Sequence, residues 1–356
     1  MFPPITLTRP DWQIVAPTDE AFERIQGDWE QYDEDTIKAI IKYHILRKEV
    51  KTKSVPNGDT VAVSTLLDSP TFANITGGQQ VLLTKQPGDE IVITSGFATR
   101  GTIVEEDIPF TYGTIQVIDS VMRIPLSLAP TARDAYKDLI SFLGALYNLD
   151  LYEEFNNLKN VTMFIPKFTA FQQLAGRFEN VDRAAFRHIL RYHVIPGRVI
   201  HAWELVNGTT LPTYSQGKKG VTDNVTVTRN GNHIYINSAQ LLQTDMLISN
   251  GVVHMVDNVL NPGNQSALPD LRPEVRSQTP VITPTGATST GIRVPTPWTS
   301  DLPCTRDCPE PEPTDYPTST STTRRPAVTK NFAPAQFTGL TGSGLGLAAL
   351  GALVVL

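Results

Sequence analysis

Phe186-Arg-His-Ile-Leu-Arg-Tyr-His-Val-Ile195 decides how the chain is read, because it occurs a second time as Ile37-Lys-Ala-Ile-Ile-Lys-Tyr-His-Ile-Leu46. In both copies apolar residues fall at i, i+3, i+4 and i+8 (Ile37, Ile40, Ile41, Ile45; Phe186, Ile189, Leu190, Val194), the spacing of one buried helical face. The histidine of the closing Tyr-His falls at i+7 and shares that face. Ala16-Pro-Thr-Asp-Glu-Ala-Phe22 and Ile165-Pro-Lys-Phe-Thr-Ala-Phe171 match in the same register, 149 residues apart like the two helices. A third pair, Gly113-Thr-Ile-Gln-Val-Ile-Asp-Ser-Val-Met122 and Gly251-Val-Val-His-Met-Val-Asp-Asn-Val-Leu260, lies 138 residues apart, so the second copy is 11 residues shorter in its middle. Solenoid repeats have periods up to about 50 residues; units this much longer are two copies of a globular domain.

The order of motifs, an apolar strand leading into Pro-Thr-Asp-x-Ala-Phe, Tyr-His at a helix end, then Gly-x-Ile-x-x-Ile-Asp-x-Val, resembles the fasciclin (FAS1) domain family, twice in tandem over residues 11 to 262. The resemblance implies an α+β fold, helices packed on a β-wedge or sandwich. It divides the chain into a first domain at 1–126, shortened at its N-terminus, a second at 127–262, a disordered Ser/Thr/Pro-rich stalk at 263–336 and an apolar tail at 337–356. In FAS1 domains the Tyr-His region is associated with adhesion and receptor binding, which would fall on Tyr43, His44, Tyr192 and His193. The residues alone point to hydrogen-bonded core histidines, since both sit on an apolar helical face with no acid or thiol at fixed spacing. The second copy departs from the family at Lys167-Phe168, losing the capping hydroxyl that Thr18 offers the first; such a cap is worth about 1 kcal/mol.

Local patterns agree with a mixed domain. Trp12 to Ala16 reads as a strand, and Val81 to Thr84 with Ile91 to Thr94 as a hairpin across Gln86-Pro-Gly-Asp. Val225 to Thr228 with Ile234 to Ile236 forms its counterpart across Asn230-Gly231. Ile115 to Val121 and Val252 to Val259 close the domains as strands. Ahead of the second copy, Asp134 to Leu143 and Leu146 to Leu158 carry helical spacing, as in the opening of FAS1 domains. The first copy lacks this, and an upstream signal peptide and opening helix are expected.

Composition separates the body from the tail. Residues 263–336 hold 13 of the 27 prolines and 20 serines or threonines, too little aliphatic material for a core, so an extended, solvated stalk is expected. The two cysteines, Cys304 and Cys308, lie inside it and read as a small local disulfide or two free thiols. Sequons occur at Asn74, Asn160, Asn207, Asn224 and Asn264, suiting a secretory-pathway glycoprotein. The uncharged tail after a weakly polar spacer reads as a GPI signal with attachment near Asn331, a transmembrane helix being the alternative.

Net charge −6 with scattered Lys and Arg argues against nucleic-acid binding. No His-Glu-x-x-His, Gly-x-Ser-x-Gly or P-loop pattern occurs, no cofactor or metal is expected, and Glu105-Glu106-Asp107 reads as a solvated acidic loop. The expectation is a non-catalytic surface protein meeting cell-surface, matrix or wall components or another FAS1 protein, held by a lipid anchor at the plasma membrane or wall. The alternatives are a vacuolar-membrane FAS1 protein acting in autophagosome fusion, and a secreted wall-modifying enzyme.

Overall fold

The computed structural model describes residues 11–25, 30–172, 182–217, 220–272, 275, 277–280, 282 and 298–303. The first domain runs β1 (Trp12–Pro17), α1 (Asp19–Glu23), α2 (Glu34–Tyr43), β2 (Ile45–Leu46), β3 (Thr60–Ser64), β4 (Gln80–Lys85), β5 (Ile91–Thr94), β6 (Arg100–Phe110) and β7 (Gly113–Ile118). The second opens with short helical turns at Leu128–Pro130, Thr131–Ala135 and Lys137–Leu139, followed by α3 (Ile140–Asn148) and α4 (Tyr152–Asn157). It continues through β8 (Val161–Pro166), α5 (Phe168–Gln172), α6 (Arg183–Tyr192), β9 (Val194–Ile195), β10 (Thr210–Gln216), β11 (Thr222–Asn230), β12 (His233–Ile236), β13 (Ala239–Ile248) and β14 (Gly251–Val256).

Both Tyr-His helices form where the spacing placed them, and the same chemistry starts and stops them. The Asp33 and Asp182 side chains cap the N-termini by accepting from the backbone N–H of Thr36 and Ala185, and His44 and His193 are the C-terminal caps. Thr18 caps α1 through its side chain, as expected. The opening helices of the second domain divide differently from the sequence pattern. One break falls at Tyr136, whose φ of −129° and ψ of 72° interrupt the expected helix at Asp134 to Leu143, and the other at Asp150, whose φ of 55° ends α3 and redirects the chain into α4.

The two sheets have one topology, β2-β1-β7-β6-β5-β4-β3 and β9-β8-β14-β13-β12-β11-β10. Each domain's first strand runs parallel to its last, with Trp12 opposite Gly113 and Val161 opposite Gly251, while the remaining neighbours are antiparallel. The glycine opening each closing strand is a packing requirement, because a Cβ at Gly113 or Gly251 would overlap the carbonyl of Trp12 or Val161. In β6, Arg100 to Thr102 pair with β5 whereas Ile103 to Phe110 pair with β7 through two register shifts, and β13 is divided in the same way. Each sheet therefore folds over along one bulged strand into two halves, the wedge the resemblance implied. The acidic run Glu105-Glu106-Asp107 lies in that bulge and not in a loop. Glu105 and Glu106 are exposed, while Asp107 turns inward at φ 54°.

Between the half-sheets, the first core holds Val15, Tyr43, Leu46, Val81, Leu83 and Ile118, and the second its counterparts Phe164, Tyr192, Ile195, Val225, Val227 and Val256. The helix sides differ. In the second domain α3, α4, α5 and α6 bury Phe142, Leu146, Phe155, Phe171 and Phe186 against Val161, Met163 and Val253. The matching side of the first, among the described residues, is a small cluster of Trp12, Ile41 and Ile45, flanked by half-buried Ile37, Leu66 and Phe110.

Substituting Gly251→Ala is expected to destabilise the second domain by about 3 kcal/mol, because the added methyl meets backbone and not a movable side chain. Urea unfolding checks this; a variant within about 0.5 kcal/mol of the parent would show that the strands part freely.

Candidate functional site

The Tyr-His pair ends each long helix against the sheet, and its atoms are spent on the fold. His44 Nε2 accepts the backbone N–H of Met122 at 3.0 Å, which puts the ring proton on Nδ1, and Nδ1–H donates to the Ile40 carbonyl at 2.8 Å. His193 repeats this with Leu260 N–H at 2.9 Å and the Ile189 carbonyl at 2.8 Å. Each imidazole thus joins the last helical turn to the segment just after the closing strand. Burial pushes both rings down to about 4, the hydrogen bond to the helix carbonyl offsetting only part of that cost. The neighbouring tyrosines reach across the core: Tyr43 OH donates to the Gln80 carbonyl at 2.9 Å and Tyr192 OH to the Asn224 carbonyl at 2.7 Å. All four side chains are buried, so none of them presents a contact surface to a partner.

Two further polar clusters bring together residues far apart in sequence. In the bulge of β13, the Asp245 carboxylate accepts from His201 Nδ1 and from the Ala202 N–H, both at 3.0 Å, while Asp245 N–H donates to His254 Nδ1. Burial works against the Asp245 charge, but the His201 hydrogen bond and the adjoining imidazoles outweigh it and hold its carboxyl below the ordinary value. Burial pushes His254 down, against the pull of Asp245. The first domain builds the same bulge without histidine: Asp107 and Gln116 exchange two hydrogen bonds at 2.9 and 2.6 Å, and Thr52 Oγ1 donates to Asp107.

The other cluster is Ser215, His188 and Asp223, the residue types of a hydrolytic triad closed into a three-way contact. A working triad places histidine between serine and aspartate. Here His188 touches both partners, with Nδ1 3.2 Å from Ser215 Oγ and Nε2 3.2 Å from the Asp223 carboxylate, but the Ser215 hydroxyl donates directly to that carboxylate at 2.8 Å and is fully buried, so its proton is not directed to the imidazole. Among the described residues, no group of three or more His, Cys, Asp or Glu side chains is placed to hold a metal ion.

The domains meet along a polar seam, which no motif in the sequence announced. Gln79 is buried and donates to the Ile248 carbonyl at 3.2 Å, and Asn74 N–H donates to the Ser249 carbonyl at 2.7 Å. The Asn160 side chain accepts from Thr76 N–H at 2.7 Å and donates to Thr76 Oγ1 at 2.8 Å; Asn74 Nδ2 donates to the carbonyls of Asn157 and Leu158. His201 Nε2 crosses the seam to the Gln80 side-chain amide at 2.9 Å. Two of the predicted sequon asparagines, Asn74 and Asn160, therefore face each other across the domain boundary, half-buried, whereas Asn207, Asn224 and Asn264 are exposed.

The fasciclin domain model matches residues 7–125 and 137–262, the two repeats just described. The chain belongs to the fasciclin family. A fasciclin-like arabinogalactan protein of Arthroderma benhamiae is 28% identical over 262 residues, covering 72% of this chain and 60% of its own length. Another, from Cercospora beticola, is 28% identical over 243 residues, covering 65% of this chain and 61% of its own. The chain thus spans about 60% of the length of these relatives. Among solved structures, a FAS1 domain pair from the insect cell adhesion molecule fasciclin I matches 73% of this chain and 91% of its own at 17% identity and a TM-score of 0.36. In this fasciclin chain Cys304, Cys308, Asn331 and the apolar tail lie outside the described residues, and no described helix is long and apolar enough to cross a membrane.

The imidazole staples set an acid dependence. With folded values near 4 against 6.5 for the free side chain, the unfolded chain takes up the proton first as pH falls. Each histidine's neutral-ring contribution is complete above about pH 6.5 and is lost between there and about pH 4, up to roughly 3 kcal/mol apiece. Urea unfolding from pH 7 to 4 should show this loss, and His193→Gln should flatten the second domain's share of it. An unchanged pH slope in the variant would remove His193 from the account.

Proposed function

We infer that this fasciclin chain acts without catalysis, as a surface-displayed adhesion protein whose two domains meet cell-surface, matrix or wall components through their outer faces. The observation that carries the reading is the state of its six histidines, each of which is engaged within the fold. His44 and His193 staple helices to strands, and His254 donates to the Ile200 carbonyl. His201 bridges Asp245 and Gln80, His188 rests on Asp223, and His233 meets the Gln240 amide. The side chains best suited to proton transfer near neutral pH are thus employed as structural donors and acceptors. Membership of the fasciclin family, with fasciclin-like arabinogalactan proteins among its relatives, supports the same reading.

Display would come from the Ser/Thr/Pro-rich segment and a GPI anchor near Asn331. Cells carrying the protein should attach to a wall or matrix preparation, lose that attachment when a phosphatidylinositol-specific phospholipase releases the protein, and leave the glycans uncut. Glycan cleavage abolished by one carboxylate substitution would replace this reading with the enzyme alternative. Retention of the intact protein after lipase treatment would remove the lipid anchor.

N-glycans are assigned to the exposed Asn207, Asn224 and Asn264. The amide nitrogens of Asn74 and Asn160, the atoms a glycan would occupy, are committed to the seam. Glycosidase-resolved mass spectrometry should find that Asn→Gln at each exposed site removes one glycan and that Asn74→Gln and Asn160→Gln remove none. A glycan on either seam residue contradicts the assignment.

A further inference from the structure

The described parts of residues 263–303 correct the expectation of a solvated stalk that starts directly after the second domain. Gln278 is buried; its N–H donates to Asp257 at 3.1 Å, and its carbonyl accepts from Asn258 Nδ2 at 2.9 Å. Further on, Ile282, Trp298 and Leu302 pack against the helix-side core of the second domain. The Trp298 ring stands edge-on to Phe171 of α5 with centroids 5.4 Å apart, and lies tilted against Phe186 of α6 at 5.0 Å. Its backbone passes so close to α3 that a Cβ on Gly144 would overlap the Trp298 carbonyl. Arg133 donates to the Pro303 carbonyl at 3.3 Å. Trp298 itself has φ 59°, a left-handed conformation that is costly for a bulky residue and is held where surrounding contacts fix it.

We propose that the groove between α3, α5 and α6 is a binding site for a tryptophan-led peptide segment, and that residues 298–303 of this same chain are its ligand. The site has an aromatic wall (Phe171, Phe186), a floor cleared of side chain at Gly144 so that backbone can approach, and a donor at Arg133 for the segment's carbonyl. The first domain has Phe22 and Ile37 at the positions of Phe171 and Phe186, and among the described residues nothing equivalent to α3, so the groove belongs to the second domain. Docking carries the chain from the end of the sheet to the helical layer. With this segment docked, the sequence left to serve as a spacer before the apolar tail is 33 residues, 304–336, for which a fully extended chain would reach at most roughly 100 Å at about 3.1 Å per residue. This inference is independent of the adhesion reading.

A substitution that changes sign with context tests it in the full-length chain. Gly144 lies inside helix α3, where alanine is the better helix former. With Trp298→Ala present to empty the groove, Gly144→Ala should raise the second domain's unfolding midpoint by about 2–4 °C. In the otherwise unaltered chain the same substitution should lower it, because the new methyl evicts the docked backbone. As a second readout, a labelled peptide covering residues 294–305 should bind the Trp298→Ala chain at least tenfold more tightly than the parent, whose groove is filled. A midpoint shift of the same sign in both backgrounds, or peptide binding that does not distinguish the two chains, overturns the proposal.

Discussion

A hydrogen bond from a backbone N–H to an imidazole nitrogen fixes each domain of this chain. His44 and His193 terminate a helix and at the same time take up the N–H of Met122 or Leu260, just beyond the last strand. One side chain therefore sets where the helix stops, how it lies against the sheet and where the closing strand ends. A neutral ring is needed, with its proton on Nδ1, and the apolar surroundings enforce that state by making the charged form expensive. The preceding tyrosine secures the same helix end from the other direction through a carbonyl at the far side of the core. The dipeptide is best understood as an internal fastener of the fasciclin fold, and a substitution there acts on any outer surface only by way of the domain's integrity.

The fold was legible in the sequence because the chain carries its own comparison. Residues that recur at a constant offset, Ile37 and Phe186, His44 and His193, Gly113 and Gly251, hold the same place in both domains, and the shared register of the parallel strand pairs follows from that repetition. What the repeat does not contain twice stayed hidden. The seam pairs Thr76 with Asn160 and Gln80 with His201, and a contact between two copies has no second instance in one chain. The sequons at Asn74 and Asn160 were visible, but two tripeptides separated by 86 residues gave no sign of meeting. The docked segment at 298–303 was obscured for another reason: Pro, Ser and Thr dominate its surroundings, and one tryptophan among them is too sparse to register as periodicity. Left-handed Asp107 and Asp245 likewise lie in bulges, where two strands change partners and alternation fails.

The domains share a sheet but not a cover. The second buries a helical layer of Phe142, Phe155, Phe171 and Phe186 against β8 and β14, and Trp298 is added to that layer from outside. On the first, the described residues place a modest group around Trp12 at the corresponding face. The bulge clusters diverge in parallel: Asp107 is satisfied by a glutamine and a threonine, Asp245 by two histidines, one of which also reaches the other domain. Duplication supplied one scaffold, and the histidine variant of the bulge is the one that takes part in joining the copies.

The parallel pairing of first and last strands also governs the order of events during synthesis. Trp12 must wait for Gly113 and Val161 for Gly251, so β1 and β8 remain without their central neighbour until nearly the whole domain has left the ribosome. At translation rates of about 5–20 residues per second, that is a delay of about 5 to 20 seconds. Through this interval a strand of mainly apolar residues lacks its partner, and the histidine fastener cannot close because its acceptor nitrogen has no N–H to meet. Formation of each domain is thereby a late, long-range event with high contact order. The second domain reaches it after the first has had its closing strand in hand for the time taken to make another 138 residues.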